Sequence, residues 1–121
     1  MVNLVEVLVT GGAGFIGSNF VRYALGAHPD WRVTTLDKLT YAGRRENLHD
    51  VMTHDRGTHS CTGTSSTPRS AVHSSNSSNI VVHFAAETHV DRSIMAAGDF
   101  IRTDVEGTFV LLEAARRAAR V

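Results

Sequence analysis

The chain has 121 residues, enough for one domain, and 42% of them are hydrophobic, enough to fill a core. Twelve basic and twelve acidic side chains cancel to a formal net charge of zero, which argues against nucleic acid or an anionic membrane as the main partner. The single cysteine, Cys61, excludes a disulfide framework and a cysteine-based metal site, and no apolar run approaches the ~18 residues of a membrane span. A soluble, cytoplasmic protein without a metal is therefore expected, the seven histidines being scattered along the chain.

Residues 4–9 form a short, nearly continuous apolar run, as in a parallel strand buried on both faces. Glycines then recur at Gly11, Gly14 and Gly17. From Phe15, the apolar positions Phe15, Phe20, Val21 and Leu25 lie on or beside one helical face, and Gly26 with Pro29 is expected to end the helix. A helix that opens at a glycine turn offers unpaired N–H groups and the positive end of its dipole to phosphate. Gly11 permits a sharp turn, Gly14 a close approach of backbone to pyrophosphate, and Gly17 close packing of helix on strand. On the triplet alone, an ordinary glycine-rich turn is the competing reading. A second strand is expected over residues 31–36, where Val33, Thr34 and Thr35 are β-branched. It ends at Asp37, twenty positions after Gly17, the spacing at which a carboxylate accepts hydrogen bonds from an adenosine ribose. A carboxylate there repels a 2′-phosphate and favours NAD over NADP, although Arg44 and Arg45 lie nearby in sequence. A solvent-exposed turn residue is the alternative for Asp37.

Tyr41, Ala42 and Gly43 read as a loop, and residues 44–51 as a short helix. Residues 80–86 are a second apolar run, expected to be a strand whose small final residues admit a ligand close to the backbone. His83 inside it is better explained as a hydrogen-bonded structural histidine than as a functional one. Ile101, Val105, Phe109 and Leu112 recur at helical spacing, followed by Ala114, Ala115, Ala118 and Ala119, the strongest helical pattern in the chain. Arg116, Arg117 and Arg120 suit the solvated end of that helix.

Residues 57–79 differ from the rest. Of these 23 residues eight are Ser and four are Thr, Val72 is the sole large aliphatic, and none is acidic. A doubly wound fold places its third strand and a helix here. The expectation is thus an α/β, Rossmann-like, doubly wound parallel sheet forming one partial NAD-binding domain over residues 1–121. The third strand and its helix are disrupted, and the second strand is left as an open edge. A flexible Ser-rich loop is one account of the tract. The preferred account is a pair of compensating frameshifts. Serine codons of the form T-C-N, read two bases later, supply Leu, Val, Ile or Phe, and the shifted tract permits a strand, a turn and an amphipathic helix.

Three motifs carry a family resemblance. Val9-Thr10-Gly11-Gly12-Ala13-Gly14-Phe15-Ile16-Gly17 resembles the fingerprint of the extended short-chain dehydrogenase/reductases. Leu36-Asp37-Lys38-Leu39-Thr40-Tyr41-Ala42-Gly43 and His83-Phe84-Ala85-Ala86-Glu87-Thr88-His89-Val90-Asp91-Arg92-Ser93 are similar to those of the dTDP-glucose 4,6-dehydratases, NAD-dependent lyases of nucleotide-sugar metabolism and deoxysugar biosynthesis. The resemblance covers residues 7–51 and 80–117. It implies conversion of dTDP-glucose to dTDP-4-keto-6-deoxyglucose with NAD as cofactor and no net redox change. By position, it implies that Gly11, Gly14, Phe15, Ile16 and Gly17 lie along the pyrophosphate, and that Asp37, Lys38, Leu39 and Thr40 surround the ribose. Ala85, Ala86 and Glu87 would line the path to the nicotinamide, Thr103 would sit near the cofactor, and Thr88 would touch the sugar. Asp91 and Arg92 are open between substrate contact and a local ion pair. The C-terminal helix would form half of a homodimer contact.

The resemblance also implies a Tyr-x-x-x-Lys pair and a Thr-Asp-Glu triplet. Neither occurs in residues 1–121, where Tyr23 and Tyr41 are not followed by lysine four positions on. No catalytic residue is assigned, and this stretch is expected to be inactive by itself. Thr64 and Ser65 stand near the position of the Asp-Ile turn that contacts adenine in the family and has no counterpart here, so NAD binding is expected to be weak or absent. The alternatives are another nucleotide-sugar epimerase or decarboxylase, a non-catalytic NAD-binding module, or a gene remnant. Residues 36–43 and 88–93 weigh against the first of these.

Overall fold

A computed structural model describes residues 3–52, 59–62 and 78–119. Strand β1 (Val5–Thr10) lies inside a parallel sheet, between β2 (Trp31–Asp37) and β4 (Ile80–His83). Val7, Leu8, Val9 and Thr10 are all at most 1% exposed. A strand covered on both faces and both edges has no polar side to present, which is why its sequence runs apolar instead of alternating. Helix α1 (Phe15–Ala27) connects β1 to β2 and buries Val21, Ala24 and Leu25 against Val7, Val9 and Val33. Leu48 and Val51 complete this core. Each Val or Leu side chain among these, removed from water, contributes about 1.5–3 kcal/mol.

The expectation that β2 is an open edge is not met. Strand β3 (His59–Thr62) pairs with it in parallel, in the register Thr34↔His59 to Asp37↔Thr62, and the sheet order is β3-β2-β1-β4. Strand pairing uses backbone N–H and C=O groups, which a Ser/Thr-rich segment supplies as well as any other. Thr64, Ser65 and the expected helix that would follow lie outside the described residues.

Other boundaries shift for identifiable reasons. Gly26 does not end α1, which runs on to Ala27 and is closed by the His28 N–H donating to the Ala24 carbonyl. The His28 ring stacks on Trp31, with centroids 4.0 Å apart and planes 12° from parallel. Phe15 opens α1 at 82% exposure, outside the buried stripe. Strand β4 stops at His83, short of the expected residue 86, because the Ala85 N–H turns to the Thr10 hydroxyl. Residues 44–51 contain one 3-10 turn, Arg45–Leu48, instead of a longer helix.

The C-terminal helical pattern begins earlier than expected. A short helix α2 (Val90–Met95) precedes α3 (Ala97–Phe100), a π-helical stretch (Ile101–Glu106) and α4 (Gly107–Ala118). Helix α4 buries Gly107, Leu111 and Ala114. Ile101, Val105, Phe109 and Leu112 form a separate stripe, each 60–65% exposed.

Candidate functional site

The carboxyl ends of β1, β2 and β4 open on a cleft of about 320 Å³. The glycine turn contributes Gly11, Gly14, Phe15, Ile16 and Gly17, and the end of β2 contributes Asp37, Lys38 and Thr40. The exit of β4 contributes Ala85, Ala86, Glu87 and Thr88, and the π-helical stretch contributes Thr103. Leu39 was expected here and does not line the cleft. It adopts a left-handed backbone (φ 57°) and packs its side chain against the core. Its N–H donates to Asp37 Oδ1 at 2.8 Å, so it serves the site through its backbone.

Two of the three glycines are dictated by the protein's own packing. Gly11 has φ 67°, and a Cβ there would stand 2.7 Å from the Ala85 nitrogen. A Cβ at Gly17 would run into the Gly11 carbonyl, which is how α1 comes to rest so close to the turn. Gly14 differs. The nearest atom to a Cβ there is the Gly11 oxygen at 3.4 Å, so the missing side chain leaves room along the cleft. Gly14 also caps α1, whose first N–H groups have no intrahelical partners and face an incoming anion with the helix dipole.

The peptide of Ala13 is held from both sides. Its N–H donates to Asp37 Oδ2 at 3.0 Å. Its carbonyl accepts from the Arg44 N–H at 3.1 Å and from Asn47 Nδ2 at 2.8 Å. Asn47 in turn sits in a turn fixed to α1, because Arg22 donates to the Asn47 carbonyl and pairs with Asp50 at 2.7 Å. Asp37 therefore rigidifies the glycine turn as well as ending β2. Each of its oxygens has one N–H donor, and a carboxylate oxygen has two lone pairs, so both oxygens keep capacity for a ligand hydroxyl.

The other wall is the exit of β4. The Ala85 N–H donates to Thr10 Oγ1 at 3.3 Å and the Glu87 N–H to Asp104 Oδ1 at 2.8 Å. His83 lies behind this wall, between the Thr10 and Thr108 hydroxyls, in the hydrogen-bonded role expected of it. Burial holds its pKa below the usual 6.5, against the opposing charge of Asp104. At the rim, the Tyr41 hydroxyl donates to Glu87 Oε2 at 3.3 Å, joining the loop after β2 to the segment after β4. Desolvation, with Glu87 beside it, raises the Tyr41 pKa. Arg92 lies over the Tyr41 ring, 3.8 Å from its centroid.

Leu36, Ala42, Gly43 and Phe84 also line the cleft. Each sits inside a motif already singled out. Gly43 had a readable signal in its residue type, because a Cβ there would come within 2.6 Å of Asp37 Oδ1.

The sheet order, the glycine turn into α1 and the carboxylate that ends β2 define a Rossmann-like unit of the extended short-chain dehydrogenase/reductase class. Residues 7–121 match the family described as the NAD dependent epimerase/dehydratase family, and the chain belongs to it. Over 112 residues it is 49% identical to dTDP-glucose 4,6-dehydratase of Mycobacterium tuberculosis, covering 93% of this chain and 33% of that protein. It is 47% identical over 112 residues to dTDP-glucose 4,6-dehydratase 1 of Escherichia coli, covering 92% of this chain and 31% of that one. Among solved structures, DesIV, the dTDP-glucose 4,6-dehydratase of Streptomyces venezuelae with NAD and TYD bound, superposes with a TM-score of 0.88 at 46% identity. That match covers 95% of this chain and 37% of DesIV. A UDP-glucose 4-epimerase of Thermotoga maritima superposes at 0.81 with 28% identity, over 94% of this chain and 35% of that one. The chain thus spans about a third of the length of the curated relatives it matches, and the similarity is to their N-terminal part.

Proposed function

We propose that residues 1–121 are the NAD-binding part of a dTDP-glucose 4,6-dehydratase, a cytoplasmic homodimeric lyase, and do not turn over substrate by themselves. The observation that carries this reading is Asp37. Its carboxylate ends β2, is aimed by the Ala13 and Leu39 amides, and faces the same cleft as the start of α1. The relatives named above at 46–49% identity are dTDP-glucose 4,6-dehydratases, whereas the epimerase stands at 28%.

The residues present fit the cofactor, since Gly14 leaves room where a pyrophosphate would lie and Asp37 retains acceptors for a ribose. When bound, NAD supplies an acceptor that takes a hydride from the sugar and returns it. Gly11, Gly14, Phe15, Ile16 and Gly17 would bind the pyrophosphate. Asp37, Lys38 and Thr40 would bind the ribose, with Leu39 fixing the loop. Ala85, Ala86, Glu87 and Thr103 would orient the nicotinamide end, and Thr88 the sugar. The Tyr-x-x-x-Lys and Thr-Asp-Glu groups that would move protons in the family are not in residues 1–121. The exposed stripe of Ile101, Val105, Phe109 and Leu112 fits the second protomer of a homodimer. Residues 57–79 are read as the product of compensating frameshifts, so the chain binds NAD more weakly than its relatives.

Titration of NAD into the ¹⁵N-labelled chain tests the proposal. Saturable shifts at Gly14, Phe15 and Asp37 are expected, with a Kd of about 0.1–1 mM. Asp37→Ala should weaken binding about tenfold or more by removing charge-assisted acceptors. An unchanged Kd in that variant refutes the ribose assignment, and the absence of any shift at saturating NAD refutes the cofactor.

A further inference from the structure

The wall formed by residues 85–87 is anchored at two points, the Thr10 hydroxyl and the Asp104 carboxylate; His83 bonds the first directly and reaches the residue of the second through Thr108 and the Asp104 backbone carbonyl. The Ala85 N–H donates to Thr10 Oγ1, and Thr10 Oγ1 lies 2.6 Å from His83 Nδ1. The Glu87 N–H donates to Asp104 Oδ1. The Asp104 carbonyl accepts the Thr108 hydroxyl at 2.7 Å, and Thr108 Oγ1 lies 3.2 Å from His83 Nε2.

The direction of every bond in this chain follows. Thr108 has one hydroxyl hydrogen, and it goes to the Asp104 carbonyl. Its oxygen must therefore accept from the ring, so Nε2 carries the hydrogen. Nδ1 is then an acceptor and takes the hydroxyl hydrogen of Thr10. The Thr10 oxygen is left to accept the Ala85 N–H. The neutral ring, in one tautomer, satisfies every group in the chain, and Thr10 is fully buried.

We infer that His83 is a positioning residue for the cofactor cleft: its neutral Nε2–H form orders the 85–87 wall, and protonation at Nδ1 loosens it. This rests on the NAD reading above. A second ring proton faces the Thr10 hydroxyl with a donor and takes away that hydroxyl's acceptor, so the group holding the Ala85 amide must reorient. From β1 the ring meets the Thr10 hydroxyl, from α4 the Thr108 hydroxyl, and from the π-helical stretch the charge of Asp104. Asp104 favours the second proton, burial opposes it, and burial prevails. His83 is not among the residues that line the cleft, so it acts through Thr10 and Thr108.

Nitrogen-15 NMR on the whole chain tests this. Long-range imidazole couplings should report the Nε2–H tautomer at neutral pH. Between about pH 7.5 and about pH 5.5, the protection factor of the Ala85 amide (its exchange rate relative to the intrinsic rate at the same pH) should fall, and NAD affinity should fall with it, by no more than about tenfold at one unit below the ordinary histidine value. His83→Gln stays neutral while offering a donor and an acceptor, and it should flatten both profiles. If that variant does not fold, Thr108→Val leaves His83 titratable, removes the Nε2 acceptor, and should shift the ring toward the Nδ1–H tautomer. An Nδ1–H ring in the unmodified chain, or an Ala85 exchange profile that is the same with glutamine at 83, overturns the inference. If the tautomer and exchange behave as expected while NAD shifts no resonance, the cofactor reading fails and the ordering of the wall by His83 stands.

Discussion

Replacing Gly11 with alanine isolates the closest approach in the cleft. The backbone there sits at φ 67°, where an L side chain costs about 1–2 kcal/mol before it touches anything. The new Cβ would also stand 2.7 Å from the Ala85 nitrogen, 2.8 Å from the Phe84 carbonyl carbon and 2.9 Å from the Ala85 Cα. All three are backbone atoms, so the exit of β4 has to retreat. That retreat stretches the bond from the Ala85 N–H to Thr10, already 3.3 Å long, and losing it costs about 1 kcal/mol. Together Gly11→Ala should lower stability by about 2–4 kcal/mol, a large part of the 5–15 kcal/mol typical of a domain. Urea unfolding followed by far-UV circular dichroism measures it. Gly26→Ala is the internal control. A Cβ at Gly26 meets nothing within 4 Å in the last turn of α1, so the same chemical change there should stabilise by up to about 1 kcal/mol. A cost below about 1 kcal/mol at Gly11, or an equal loss at both positions, refutes the steric argument.

Three further outcomes are expected. Because the folded pKa of His83 lies below the ordinary 6.5, its contribution to stability is complete above pH 6.5 and is lost as pH falls from there through the folded value. Urea midpoints measured across that window should decline, and less so in His83→Gln. Phe109→Ser combined with Leu112→Ser should leave the far-UV spectrum unchanged, since both side chains are more than 60% exposed, while abolishing any dimer seen by sedimentation. A dimer that survives the pair of changes places the contact elsewhere. Sequencing the DNA across codons 57–79, with peptide mass spectrometry of that tract, should reveal displaced frames at its two ends. An intact frame with matching peptides ends the frameshift account.

The sequence-based expectations held wherever burial leaves a pattern. Strand β1 is covered on both sides, so residues 7–9 had to be apolar, and Gly11 and Gly17 had to be glycine because backbone occupies the place of their side chains. The place of Asp37 at the end of β2 was legible from spacing, whereas Lys38 and Thr40 entered only through the family resemblance. Strand β3 was not legible, because strand pairing uses backbone groups, which a segment without a hydrophobic signature also supplies. Helix α2 buries no residue and so left no periodicity to find. Leu39 misled for a different cause. Its left-handed backbone is set by the Asp37 carboxylate and by packing against the core, neither of which its residue type announces. Asn47 was overlooked because its role is to hold a carbonyl from a turn 34 residues further along the chain.

The stacked rings of His28 and Trp31 give the protein an optical handle. Trp31 is the sole tryptophan, and it begins β2 at the end of the sheet away from the cleft. Six residue steps of extended strand separate it from Asp37, about 20 Å at the usual rise. The imidazole stacked on it, from the residue that closes α1, should tune its emission and make that emission a reporter of the join between α1 and β2. Fluorescence excited at the indole therefore follows assembly of the sheet and is blind to direct contact with a molecule in the cleft. Unfolding and occupancy become separable signals in one cuvette, with no label added.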